Sequence, residues 1–152
     1  MKTLCIIPCG SRKIWDLHPK AGPTEARRVY IGPFAKKCRE YAELFYPSSW
    51  CIISAKYGFL FPNDIVLGPY NVSFNDQRTN PITTRELSFQ LIKMKLDNYE
   101  RIVVLGGMNY VVKVHEIFSS KGIHTPLSDC KGIGYMMSKL NDSIKRDIPL
   151  RG

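Results

Sequence analysis

"TLCIIPCGSRK", residues 3–13, decides how this chain folds. Five apolar or β-branched residues run into Pro8, and the run then breaks into Cys9, Gly10, Ser11, Arg12 and Lys13. A short Ile-rich run bounded by small residues reads as a strand buried on both faces, the kind found in parallel sheets. Two further runs share its character, "WCIISA" (50–55) and "RIVVLGG" (101–107), and "GIHTPL" (122–127) is a weaker fourth. Helical patterns lie between them. In "GPFAKKCREYAELFYP" (32–47), Phe34, Cys38, Tyr41 and Phe45 fall on one face before Pro47. "TTRELSFQLIKMKLDNYE" (83–100) opens on a Thr83 or Thr84 cap and carries Leu87, Leu91 and Met94 on its apolar face. "MNYVVKVHEIFSSKG" (108–122) offers Val111, Val114, Ile117 and Phe118, and "GYMMSKLNDSIKRD" (134–147) is a last helix.

This alternation predicts an α/β fold: one three-layer domain over residues 1–152, a mainly parallel sheet of about four strands, and helices on both faces. Two long stretches, Ile14 to Gly32 and Gly58 to Pro81, read as ordered loops because they carry aromatics and aliphatics. No repeat, linker or low-complexity tract points to a second domain.

The composition narrows the functional classes. No apolar run reaches the length of a membrane span, and the N-terminal run is cut at Pro8 and Gly10, too early for a signal peptide; a cytoplasmic protein is expected, with no membrane partner. The five cysteines are odd in number and form no CxxC pair, so neither a disulfide framework nor a structural zinc site is expected. Lys plus Arg number 22 against 13 for Asp plus Glu, a net charge of +9. That balance suits an anionic partner, a nucleotide or nucleic acid, and equally suits a plainly soluble surface. The oligomeric state is not legible.

In an open α/β sheet, ligands bind beyond the carboxyl ends of the strands. There the sequence places "PCGSRK" (8–13), "SAKYG" (54–58), "GGMN" (106–109) and "SDCKGIG" (128–134). After Pro8, a candidate substrate contact, Gly10 and Ser11 could cradle an anion with their N–H groups and Lys13 add a charge, but the spacing is not that of a P-loop. Gly106 and Gly107 would let a ligand approach the backbone, and Lys131, Gly132 and Gly134 would open a helix toward an anion. Each stretch also reads as an ordinary strand-to-helix turn. His18, His115 and His124 have no partner at metal-ligand spacing, so no metal and no cofactor are expected. Asp64, Asp76 and Asp129 are the only carboxylates near the strand ends, and they do not assemble a paired-carboxylate mechanism. By elimination the reactive groups are Cys9, Lys13 and Lys56, with Ser11, Ser54, Tyr30, Tyr57 and Tyr70 as hydroxyls. A desolvated lysine is a nucleophile, and the tyrosines offer rings for a base to stack on.

"PCGSRK", "SAKYGFLFP" and "GPY" together resemble a family of small uncharacterised bacterial, archaeal and phage domains. The likeness runs over roughly residues 4 to 140 and touches Pro8, Cys9, Lys13, Tyr30, Gly32, Phe34, Ser54 to Gly58, Pro69, Tyr70 and the glycine-rich "SDCKGIGYMM". Taken alone, Pro8, Cys9 and Lys13 are similar to the Pro-Cys-x-x-x-Lys motif of the archaeosine synthase core domain. That resemblance implies a lysine attacking a nitrile on a modified base.

Three functions follow as expectations. The first is an enzyme acting on a nucleobase or nucleotide, free or in nucleic acid, through Lys13 or Lys56. The second is a domain that binds nucleotide or nucleic acid without catalysis. The third is N-glycosidic cleavage by a carboxylate, with Asp129 as its residue.

Overall fold

The structure is a computed structural model that describes residues 2–119 and 121–151. Its centre is β1 (Thr3–Pro8), which pairs in parallel with β3 (Trp50–Ser54) on one side and β6 (Arg101–Val104) on the other. Parallel neighbours on both edges explain why the run from Leu4 to Pro8 is buried throughout. Alternate residues feed two separate cores. Cys5 and Ile7 join Trp50 and Ile52 beneath α3 (Pro33–Phe45) and α6 (Ile133–Arg146). Leu4 and Ile6 join Cys51, Ile53, Ile102 and Val104 beneath α4 (Thr84–Lys93) and α5 (Met108–Ile117). Helices therefore cover both faces of a mainly parallel sheet, as the alternation predicts.

The helix faces follow the same logic. Cys38 and Tyr41 of α3 are buried, with Phe34 and Phe45 half-buried against the same cluster. Val111, Val114, Ile117 and Phe118 are all buried. Thr83 caps α4: its Oγ1 accepts from the Glu86 N–H at 3.1 Å, and the Glu86 carboxylate accepts from the Thr83 N–H at 3.2 Å. The expected helix over 83–100 ends earlier, because Lys95 turns left-handed (φ 60°) into a 3₁₀ turn at Leu96–Asn98.

Among the described residues the main sheet, expected at about four strands, has five: β4 (Gly58–Leu60) and β7 (Gly122–His124) lie at its edges in the order β4-β3-β1-β6-β7. The weak fourth candidate is β7 (Gly122–His124), parallel to β6. The unexpected strand is β4 (Gly58–Leu60), antiparallel to β3, inside the stretch read as a loop. Three residues, Gly58 to Leu60, are too few to show a period, so only their pairing with Ile52, Ile53 and Ser54 makes them a strand. Gly58 is needed at the corner. Its φ is 76°, and a Cβ there would lie 2.1 Å from Gln90 Oε1. The Gln90 amide clamps the hairpin to α4, accepting from the Phe59 N–H at 2.9 Å and donating to the Tyr57 carbonyl at 2.7 Å.

The other long stretch is also structured. It holds α1 (Ile14–Leu17), β2 (Thr24–Glu25) and α2 (Ala26–Val29). β2 pairs antiparallel with β5 (Ile65–Val66), a two-stranded sheet apart from the main one. This tie brings the two long connections together at the carboxyl end of the main sheet, and it sets Tyr30 and Tyr70 against each other. No helix among the described residues is long and apolar enough to cross a membrane.

Candidate functional site

β1 leaves the core at Pro8, and the turn that follows returns Lys13 to the interior. The return is enforced by the backbone. Lys13 forms a bridge with Tyr30, its N–H donates to Asp16 Oδ2 at 2.8 Å, and the Ile31 N–H donates to the Arg12 carbonyl at 3.1 Å. Ser11 and Arg12 stay exposed while Lys13 is only 6% exposed. Its Nζ donates to the Ser11 carbonyl at 3.1 Å and sits 4.4 Å from the centre of the Tyr70 ring. No carboxylate pairs with it among the described residues. Burial pulls its pKa below the usual lysine range and outweighs the opposing influence of Cys9 and of the Asp16 carboxylate.

Around the Tyr70 ring lies a run of hydroxyls. Tyr30 and Tyr70 share a hydrogen bond of 2.5 Å, and Tyr70 and Ser54 one of 2.8 Å. Ser54 is fully buried, and its Oγ accepts from the N–H groups of Lys56 (3.2 Å) and Tyr57 (3.1 Å). Both Ser54 lone pairs are thus occupied, so its hydroxyl donates to Tyr70. Tyr57 closes the group edge-on to Tyr70 at 5.3 Å. Burial, and then the neighbouring Cys9, push the Tyr70 hydroxyl up to about 12, and burial drives Tyr30 higher still. Both remain protonated at neutral pH. Lys56 is exposed, with Nζ 5.2 Å from the Tyr57 ring and 5.5 Å from the Tyr70 ring.

Beside Lys13 opens a cavity of about 600 Å³ at the carboxyl ends of the parallel strands. Pro8, Cys9, Ser11, Lys13 and Gly107 line it, as expected for a site at this rim. Ser54, Tyr30, Lys56, Tyr57 and Tyr70 do not, although Ala55 and Asn71 beside them do, and the Tyr70 ring lies against the Lys13 amine. Gly58 faces Gln90 instead, Pro69 is exposed, and Gly106 acts indirectly. Its φ of 136° lets the Tyr110 ring come within 3.3 Å of where a Cβ would stand. Lys131, Gly132 and Gly134 are exposed and lie outside the cavity wall; α6 presents Ile133, Met136 and Met137 to it instead.

Several wall residues were missed by sequence reasoning. Tyr110 holds Cys9 Sγ at 3.6 Å and meets Phe74 edge-on at 6.0 Å. Its position directly after "GGMN" was the available signal. Phe74 and the neighbouring Asn71 and Asn75 had none, since they arrive from the middle of a long connection.

Asp129 does not belong to this site. It is exposed and paired with Lys139 at 3.2 Å, and that ammonium holds its carboxyl below the usual range. Asp76 pairs with Arg78, and Asp64 accepts from the Phe61 N–H. Among the described residues no carboxylate lines the cavity.

The chain belongs to DUF6884, a family of unknown function that it matches over residues 4–142. It is also similar to the uncharacterised protein YfjM of Bacillus subtilis (strain 168), at 42% identity over 146 residues, which is 95% of this chain and 97% of that protein. These matches agree with the expected likeness to uncharacterised small domains and do not bear on archaeosine synthase. No solved structure matches the chain.

Proposed function

We propose that this chain is an enzyme of nucleobase or nucleotide chemistry, acting on a free or nucleic-acid-borne anionic substrate with Lys13 as its nucleophile. One observation carries the reading: Lys13, a residue 6% exposed with no carboxylate paired to its amine among the described residues, borders a cavity of about 600 Å³ at the strand ends. Stripping water from an ammonium favours the free base, and the free base is the nucleophile. Its nitrogen lone pair would add to an electrophilic carbon of the substrate. With a carbonyl, the amine gives up two protons and the oxygen departs as water, leaving an imine. With a nitrile, an amine proton moves to the nitrile nitrogen and an amidine results. The resemblance of Pro8, Cys9 and Lys13 to the archaeosine synthase motif favours a base as the electrophile. Lys56, exposed beside Tyr57 and Tyr70, suits phosphate contact better than attack. Five free cysteines, four of them buried, suit a reducing, cytoplasmic setting.

Borohydride trapping tests this. Wild-type protein, Lys13→Met and Lys56→Met are incubated with oligonucleotides carrying abasic or modified bases, and with free nucleotides. A covalent adduct is expected with wild-type and Lys56→Met, and none with Lys13→Met. An adduct that survives in Lys13→Met ends the reading. The net charge of +9 keeps simple nucleic-acid binding as a second reading; it predicts salt-sensitive affinity that Lys13→Met leaves in place.

A further inference from the structure

The cavity beside Lys13 is electrically one-sided. Arg12 and Lys13 are its charged residues, and among the described residues no Asp or Glu lines it. Three helices begin at its wall, α3 from Gly32–Pro33, α5 from Gly107 and α6 from Ile133, and none has a side chain capping its first turn. Pro33 has no N–H to offer, so in the first turn of α3 the N–H groups of Phe34 and Ala35 are left without a helical partner; in α5 the wall residue in that position is Asn109. By contrast α4, which does not reach the cavity, is fully capped by Thr83 and Glu86. Uncapped first turns, the positive poles of helix dipoles, one exposed guanidinium and one buried lysine that makes a single side-chain hydrogen bond therefore share one hollow. The rest of the wall mixes uncharged polar residues such as Asn71, Asn75 and Asn109 with an apolar and aromatic side formed by Phe74, Tyr110, Met136 and Met137. A volume of about 600 Å³ holds a small ligand and not a nucleic-acid duplex.

We propose that the cavity takes a small phosphorylated molecule bearing a planar ring, of mononucleotide size. Its phosphoryl group lies at the first turns of α3 and α5 beside Arg12, and its ring lies against Phe74 and Tyr110. This rests on the reading of Lys13 as the reactive amine and names the substrate class for it.

Pyridoxal 5′-phosphate and pyridoxal are suitable paired reagents, because they share a planar ring and an aldehyde and differ in the phosphoryl group. Retention of each by the protein is measured at equilibrium. The mixtures are then reduced with borohydride and the labelled lysine is located by mass spectrometry. In the labelling step the Lys13 nitrogen adds to the aldehyde carbon, water leaves, and hydride from borohydride reduces the imine. The phosphorylated reagent should be retained about tenfold more tightly than pyridoxal. Arg12→Ala should remove most of that preference. Arg85→Ala, on exposed α4 and equal in charge change, should leave it intact. A preference below about threefold, or one that Arg85→Ala reduces as much as Arg12→Ala does, overturns the phosphate site. The amine is judged separately. If the phosphorylated reagent is preferred through Arg12 but the label falls elsewhere than Lys13, the phosphate site stands and the lysine mechanism fails.

Discussion

Replacing Lys13 by methionine should make the protein more stable. The substitution keeps an apolar stem in the same space and removes the ammonium. Two favourable contacts go with it: the hydrogen bond to the Ser11 carbonyl at 3.1 Å and the approach to the Tyr70 ring at 4.4 Å. Together these are worth about 2 kcal/mol. Against them stands the effective penalty of holding an unpaired cation out of water, several kcal/mol for a buried ion. The residue is 6% exposed and has no carboxylate beside its Nζ, so the penalty wins, by about 2 kcal/mol. For a chain of 152 residues that raises the melting temperature by about 4–8 °C. The effect should also depend on pH. Burial lowers the Lys13 pKa in the folded chain, whereas the unfolded chain holds the proton to about pH 10.4. Between those two values the unfolded state binds more protons, so wild-type stability rises with pH on account of this group. Lys13→Met lacks that rise, and its advantage should shrink as pH climbs from 7 toward 10. Chemical denaturation of both proteins across that range is the assay. A variant less stable than wild type at pH 7, with a difference that does not change with pH, would mean that the ammonium is well solvated or paired. The argument for a nucleophile would then collapse.

Two other perturbations probe the frame around the site. Gly58→Ala forces a Cβ to within 2.1 Å of Gln90 Oε1 at a φ of 76°, and should destabilise by about 2–4 kcal/mol through strain and the loss of the Gln90 clamp. In a double-mutant cycle with Gln90→Ala the penalties should be clearly less than additive; additivity would show that the clamp is not what Gly58 accommodates. The buried hydroxyls give an alkaline signature. Tyr70 is pushed up to about 12, and Tyr30 and Tyr110 higher, all by burial first, while unfolded tyrosines ionise near pH 10. Folding stability should therefore fall as pH climbs above 10, and native protein at pH 11 should show fewer ionised tyrosines by near-ultraviolet absorbance than urea-unfolded protein. Equal ionisation with the circular dichroism intact would contradict the burial of this group.

The long elements were legible in the residues alone, and for a reason internal to each. β1, β3 and β6 are continuous apolar runs because strands with neighbours on both sides are covered on both faces. The faces of α3, α4 and α5 follow from a period that a dozen residues suffice to display. The rim as the place for chemistry, and Lys13 as a candidate, followed from where those strands end. What the residues could not disclose was which of two lysines is desolvated. Lys13 and Lys56 each follow a strand, and each is flanked by small or polar residues. Lys13 is drawn inward by its bridge to Tyr30 and by Tyr70, which arrives along a separate connection; Lys56 has no such covering and stays exposed. Tyr70, Phe74 and β4 gain their roles from partners distant in the chain, as do the exclusion of Lys131 from the cavity and the pairing of Asp129 with Lys139. Periodicity is a property of neighbours along the chain. The electrostatic state of an amine depends on what closes over it, and only the tertiary structure decides that.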